Sequence, residues 1–190
     1  MRTVDQFNAK IDELGLNFFV PEPGVPGQGN CFFEAVLLMA KQPTHRPTLN
    51  PEVSLPVNAM DFRLQVINFM DSQLQDDENF QLLKVPITSN WSDYVLKMRN
   101  PSEWADEIVI HATALYLKKD IFLLRVSSGI REVHWHRIPG SFGDEPSSPP
   151  PLTLAYQDLV HFEPLIEKSE LSKNVCLCCG WTGKSLKAHI

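Results

Sequence analysis

About two thirds of the way along the chain the spacing of apolar residues changes, and that change does most to limit the fold. As far as Lys118, apolar side chains recur every three or four positions: Val4, Phe7, Ile11 and Leu14, then the run Phe32 to Ala40. Met60, Leu64, Ile67, Met70 and Leu74 follow, then Trp104, Ile108, Ala112 and Leu115. This is the spacing of helices that bury one face. From Ile121 onward the apolar residues gather in short runs bounded by turn residues. Ile121 to Val126, Arg131 to Ile138, Leu152 to Tyr156 and Leu159 to Phe162 read as strands. Helices first and strands afterwards predict a layered α+β fold.

Local signals set the expected boundaries. Gly15 stops the first helix and Pro43 follows the second; Pro43, Pro47, Pro51 and Pro56 make residues 43–58 a long irregular loop. Asp76-Asp77-Glu78 reads as a solvated turn, and Trp91 to Met98 as a short helix closed by Asn100-Pro101. Asn100 or Ser102 caps the helix that carries Trp104, and Lys118-Lys119 complement its negative end. Residues 1–165 then form one domain, 166–174 a polar linker, and 175–190 a Cys/His-rich tail.

Composition excludes several classes. At 190 residues with 43% apolar content, the chain builds a core without a disulfide framework. Cys31 stands alone while Cys176, Cys178 and Cys179 cluster, a distribution that suits a reducing, intracellular setting (cytoplasmic or nuclear) rather than a secreted scaffold. No apolar run reaches the roughly 18 residues of a membrane span, and the first residues do not resemble a signal peptide. The net charge is −6, of which residues 166–190 contribute +2, so the first 165 residues carry −8. An acidic body argues against nucleic acid as the main partner and is compatible with a basic protein surface.

The chemistry concentrates around Gly27-Gln28-Gly29-Asn30-Cys31-Phe32-Phe33-Glu34-Ala35. Two glycines free the backbone, Asn30 can cap a helix, and Cys31 stands where that helix begins. The N–H groups and positive dipole end of a helix favour a thiolate. A glycine-bearing loop lets backbone amides at Gln28, Gly29 and Asn30 approach a substrate oxyanion. A cysteine beside two phenylalanines is equally readable as plain core, so the pattern needs a base elsewhere.

Of six histidines, His45 lies in the proline-rich loop and His111 in an apolar helix. His134 and His136 share a strand face that reads as surface, and His189 belongs to the tail. His161 remains, on the last strand, two positions before Glu163. Strand alternation puts both on one face with Cα atoms about 6–7 Å apart, close enough for the carboxylate to fix the ring's tautomer. An ordinary polar pair on an edge strand is the competing reading.

At this point the residues carry a resemblance. The Gly-Asn-Cys-Phe-Phe stretch at 29–33 resembles the Asp-Gly-Asn-Cys-Leu/Phe-Phe/Tyr nucleophile motif of the OTU (ovarian tumour) cysteine proteases. Trp91-Ser92-Asp93-Tyr94 and Trp104-Ala105-Asp106-Glu107-Ile108 are similar to the family's middle section. Leu152 to Tyr156 with His161-Phe162-Glu163-Pro164-Leu165 is similar to its closing strands. The resemblance spans about residues 20–165. It implies a papain-like fold with a small mixed or antiparallel sheet between helices, and hydrolysis after the C-terminal Gly-Gly of ubiquitin or a ubiquitin-like modifier. Cys31 would be the nucleophile, His161 the general base and Glu163 its orienting group, with no cofactor for catalysis and a monomer as the working form. Gln28 replaces the family's usual Asp, Glu34 stands where a basic residue is common, and Glu163 replaces the usual Asp or Asn. These departures leave a second reading, a catalytically impaired module that binds ubiquitin without turnover.

The tail is a separate matter. Cys176 and Cys179 form a C-x-x-C, and Leu186 precedes His189 at the spacing of a zinc-finger helix, which would give zinc three ligands in a chain whose last residue is Ile190. Free thiols are the favoured reading there, because zinc takes four ligands in structural sites. An adaptor that uses this tail to reach nucleic acid is a third reading, against which the acidic body speaks.

Overall fold

A computed structural model describes residues 3–74, 77–84, 90–126, 133–142, 150–157 and 161–171. The helices are α1 (Thr3–Glu13), α2 (Cys31–Ala40), α3 (Ala59–Gln73), α4 (Glu78–Lys84), α5 (Trp91–Met98), α6 (Glu107–Leu117) and α7 (Lys168–Leu171). The strands are β1 (Phe18–Phe19), β2 (Ile121–Arg125), β3 (Trp135–Ile138), β4 (Leu152–Gln157), β5 (His161–Pro164) and β6 (Ile166–Glu167). Helices precede the main sheet, as the change in period requires, and the fold is α+β.

The main sheet runs β3-β2-β4-β5. β2 pairs antiparallel with β3 and parallel with β4, and β4 pairs antiparallel with β5, with Gln157 opposite His161 and Ala155 opposite Glu163. The sheet is therefore mixed. One face carries the larger core: Phe32, Phe33 and Val36 of α2, Phe62, Val66 and Ile67 of α3, and Val109, Ala112 and Leu117 of α6 pack with Ile121, Leu154 and Phe162. Val4, Phe7 and Ile11 of α1 form a second core with Leu124, Val126, Ala155 and Leu165. Alternation along β4 accounts for the division, since Leu154 and Ala155 enter different cores.

Several boundaries differ from the sequence expectation, each for a local reason. Glu78 belongs to α4 rather than a turn: Asp77 Oδ1 accepts from the amides of Asn79 and Phe80, and Phe80 is buried. Helix α6 starts at Glu107, capped by Asp106, whose Oδ1 accepts from the Val109 amide. Asn100 instead closes a turn through the Ser102 amide, and Trp104 stands outside the helix. Lys119 does not complement the helix end; it is buried and its ammonium donates to the Pro150 carbonyl. β5 runs two residues past the expected end at Phe162, to Pro164, while Leu159 and Val160 lie outside the described residues, and β6 occupies the start of the expected linker. Ile166 is buried opposite Phe19, so the packed body continues past Leu165. Among the described residues no helix is long and apolar enough to cross a membrane.

Candidate active site

Cys31 is the first residue of α2 and is 1% exposed, outside any disulfide. His161 opens β5, the edge strand against which α2 packs, and Glu163 follows on the same face. His161 Nε2 lies 2.7 Å from Glu163 Oε1. The second carboxylate oxygen of Glu163 accepts from the Val25 amide at 2.8 Å. A carboxylate only accepts, so Nε2 carries a hydrogen and the lone pair that can take a proton is on Nδ1. That nitrogen is buried next to Gly27, 3.8 Å from where a Cβ on that residue would stand.

His161 is pushed up to about 9. The neighbouring Cys31 thiol is the largest cause and the hydrogen bond with Glu163 the next, while burial opposes both. A raised proton affinity makes this ring a stronger base than a free imidazole. Strand alternation puts His161 and Glu163 on one face as expected, and the packing of α2 against β5 brings Cys31 to them, with the carboxylate of Glu163 1% exposed. Glu34, one turn along α2, has its pKa raised by burial first and by the charge of Glu163 second.

The loop before Cys31 departs from the expected cap. The Asn30 side chain makes no cap hydrogen bond; its Oδ1 accepts from Arg63 Nε at 2.7 Å. Gln28 donates its amide to the Pro26 carbonyl, and Cys31 donates its own to the Gln28 carbonyl. Between them, the Gly29 and Asn30 amides donate to no acceptor among the described residues. Gly29 sits where a side chain would strike the Pro101 carbonyl oxygen, so only glycine lets this loop and the 100–103 turn meet.

Three contributors escape a reading by sequence alone. The Val25 amide anchors Glu163 from 138 residues away, and Gly24, at φ +81°, is shaped so that Val25 can do so. Arg63, wholly buried on α3, reaches both Asn30 and Gly29. Its one sequence signal is an arginine on the apolar face of a helix, among Phe62, Val66, Ile67 and Met70. A cleft of about 400 Å³ lies beside β5, walled by Trp104, Ala105, Ile110, Tyr156 and Phe162, with Glu107 and His136 among its polar residues. His45, by contrast, is buried away from the pair, and burial lowers its pKa to about 4. Cys176, Cys179 and His189 lie outside the described residues.

Comparison with known proteins fits this geometry. Solved structures of similar fold include the OTU domain of OTUD1 (TM-score 0.59, 17% identity), which covers 86% of this chain and 98% of its own. An OTU deubiquitinase of Wolbachia pipientis wMel bound to ubiquitin gives a TM-score of 0.56 at 17% identity, over 80% and 98% of the two chains. The Hazara virus OTU bound to ubiquitin gives 0.53 at 15%, over 79% and 81%. No curated protein sequence matches the chain. The model of one family, the OTU-like cysteine proteases, matches residues 26–163, a span that runs from the loop before Cys31 to Glu163. This chain belongs to the OTU-like cysteine protease family.

Proposed function

We propose that the protein is a thiol hydrolase that cleaves the peptide or isopeptide bond after the C-terminal Gly-Gly of ubiquitin or a ubiquitin-like modifier. The observation that carries the reading is the chain of contacts from Cys31 through His161 to Glu163 and on to the Val25 amide. Cys31 Sγ attacks the glycine carbonyl carbon and His161 Nδ1 takes the thiol proton. The carbonyl oxygen becomes an oxyanion, for which the Gly29 and Asn30 amides are the donors left unengaged. When the tetrahedral adduct collapses, His161 returns the proton to the leaving amine and a thioester remains. Water, deprotonated by the same nitrogen, then releases the modifier and restores the thiol.

Access to a thiol that is 1% exposed suits a substrate with no side chains at its last two positions. We assign the modifier's tail to the cleft between Trp104 and Phe162, where Glu107 faces basic side chains upstream of the glycines. The ubiquitin-bound Wolbachia and Hazara virus enzymes support ubiquitin itself as the first modifier to test. A thiol nucleophile works in a reducing compartment, so we place the enzyme inside the cell.

The test is covalent labelling with a ubiquitin carrying a C-terminal electrophile, then cleavage of linkage-defined di-ubiquitins and ubiquitin-like fusions. The wild type forms the adduct and cleaves at least one substrate; Cys31→Ala does neither. A protein that binds ubiquitin but gives no adduct and no product would instead be a binding module, and the hydrolase reading would be wrong.

A further inference from the structure

Arg63 is the largest fully buried side chain of the described chain, and all five of its N–H groups are engaged. Nε donates to Asn30 Oδ1 at 2.7 Å. Nη1 donates to the carbonyls of Met98 and Asn100 at 2.8 and 2.9 Å, and Nη2 to those of Gly29 and Glu103, both at 2.7 Å. The Phe33 ring lies under the guanidinium, 4.5 Å from its carbon. None of the five acceptors is a carboxylate. Burial lowers the guanidinium's pKa to about 10, partly offset by attraction to Cys31 and Glu103, so the group stays charged at neutral pH. A buried cation satisfied only by neutral oxygens is costly to keep for stability alone.

What the fork fixes is the peptide that precedes the nucleophile. The Gly29 carbonyl and the Asn30 amide belong to one trans peptide unit, in which C=O and N–H point in opposite directions. With that carbonyl drawn onto Nη2, the Asn30 N–H is turned away from the guanidinium, and it has no other acceptor. The second anchor, Asn30 Oδ1 on Nε, prevents the unit from rotating about its ends. The 98–103 turn, held by the other three bonds, ties the whole to α5 and to the segment leading to Trp104.

Building on the hydrolase reading, we propose that Arg63 is a positioning residue that aims the Asn30 amide at the oxyanion by holding the Gly29–Asn30 peptide plane in one orientation. It touches neither the substrate nor the thiol. Its contribution is to the transition state, because an amide free to swing gives up part of its hydrogen bond at the moment charge develops.

Arg63→Lys tests this, since it keeps the charge and loses the planar fork. Three readouts are taken on the folded variant. With a ubiquitin fluorogenic ester or amide, kcat falls about 100-fold with KM within threefold. The rate and pH profile of Cys31 alkylation by iodoacetamide stay unchanged, because lysine keeps the positive charge that is attracted to Cys31 and Arg63 makes no hydrogen bond to His161 or Glu163. Independently of turnover, the 15N order parameter of the Asn30 amide drops from the rigid range, about 0.85, to below about 0.6. An order parameter that stays rigid, or a kcat within threefold of wild type, overturns the proposal. So does a parallel loss of kcat and alkylation, the mark of a general structural role. If the wild type turns over no modifier, the hydrolase reading fails while the Asn30 relaxation still decides whether Arg63 holds the peptide. Should Arg63→Lys not fold, Asn30→Ala frees Nε alone, and a kcat loss of about tenfold is expected; wild-type kcat in that variant overturns the proposal.

Discussion

Replacing Glu163 by glutamine keeps the size of the side chain and removes its charge, and its two partners allow no comfortable fit. Both carboxylate oxygens accept: one from His161 Nε2 at 2.7 Å, the other from the Val25 amide at 2.8 Å. A glutamine has one acceptor atom and one donor group. If its oxygen keeps the Val25 amide, its NH2 faces Nε2 and forces the hydrogen onto Nδ1, where it can no longer receive the thiol proton. If the oxygen keeps Nε2–H, the NH2 opposes the Val25 N–H, and a buried donor goes unsatisfied at a cost of about 1–3 kcal/mol. The charge matters as well. His161 at about 9, against its ordinary 6.5, contributes about 3 kcal/mol of folding stability, present below pH 6.5 and lost as pH rises through 9. The thiol supplies the largest part of that shift and remains; losing the carboxylate lowers the value from about 9. Glu163→Gln is therefore destabilised by about 1–3 kcal/mol for the unsatisfied donor, and by more at pH 6 than at pH 10, as denaturant unfolding at the two pH values measures. The wrong tautomer costs about 10²–10⁴-fold in kcat. Wild-type kcat together with an unshifted His161 NMR titration would show that Glu163 only fills space, and the triad assignment would fall.

Further predictions concern the surroundings of the pair. Glu34→Gln removes a carboxylate that burial and Glu163 both disfavour when ionised, so it raises Tm at pH 7 and has no effect at a pH low enough to protonate Glu34; a Tm gain that persists at low pH refutes the electrostatic cause. Gly29→Ala drives a methyl group into the 101–102 backbone and costs about 1–3 kcal/mol, with kcat falling as the loop shifts; thermal melts and turnover report both. Phe162→Ala, which removes a buried ring packed against Phe32 and Tyr156, costs about 3–5 kcal/mol in denaturant unfolding.

How much of this was legible in the sequence depends on how local each signal is. The helix-to-strand change in period and the pairing of His161 with Glu163 follow from spacing, because a two-residue repeat puts both on one face whatever the surroundings. Cys31 at a helix start is equally local. Asn30 departs from expectation for the same reason: an asparagine before a helix looks like a cap, and only the arrival of Arg63 from 33 residues away redirects its side chain. The cap of α6 is Asp106 rather than Asn100 or Ser102, since all three are good capping residues and tertiary packing chooses among them. β6 is two residues long and has no pattern of its own; it exists because Phe18 and Phe19 offer a partner.

The second core carries a consequence for how such a site can diversify. Phe7 of α1 places its ring 6.1 Å from that of His161, and Val4 of the same helix lies against Gly24, beside the Glu163 carboxylate. Both residues precede the span that the family model covers. The water exclusion that strengthens the imidazole–carboxylate pair is thus furnished by an accessory segment. Substitutions in that segment could retune the base, its working pH and its reactivity, while every residue of the recognisable motif stays the same. In such a protein the basicity of the histidine is a heritable setting stored outside the motif that identifies the family.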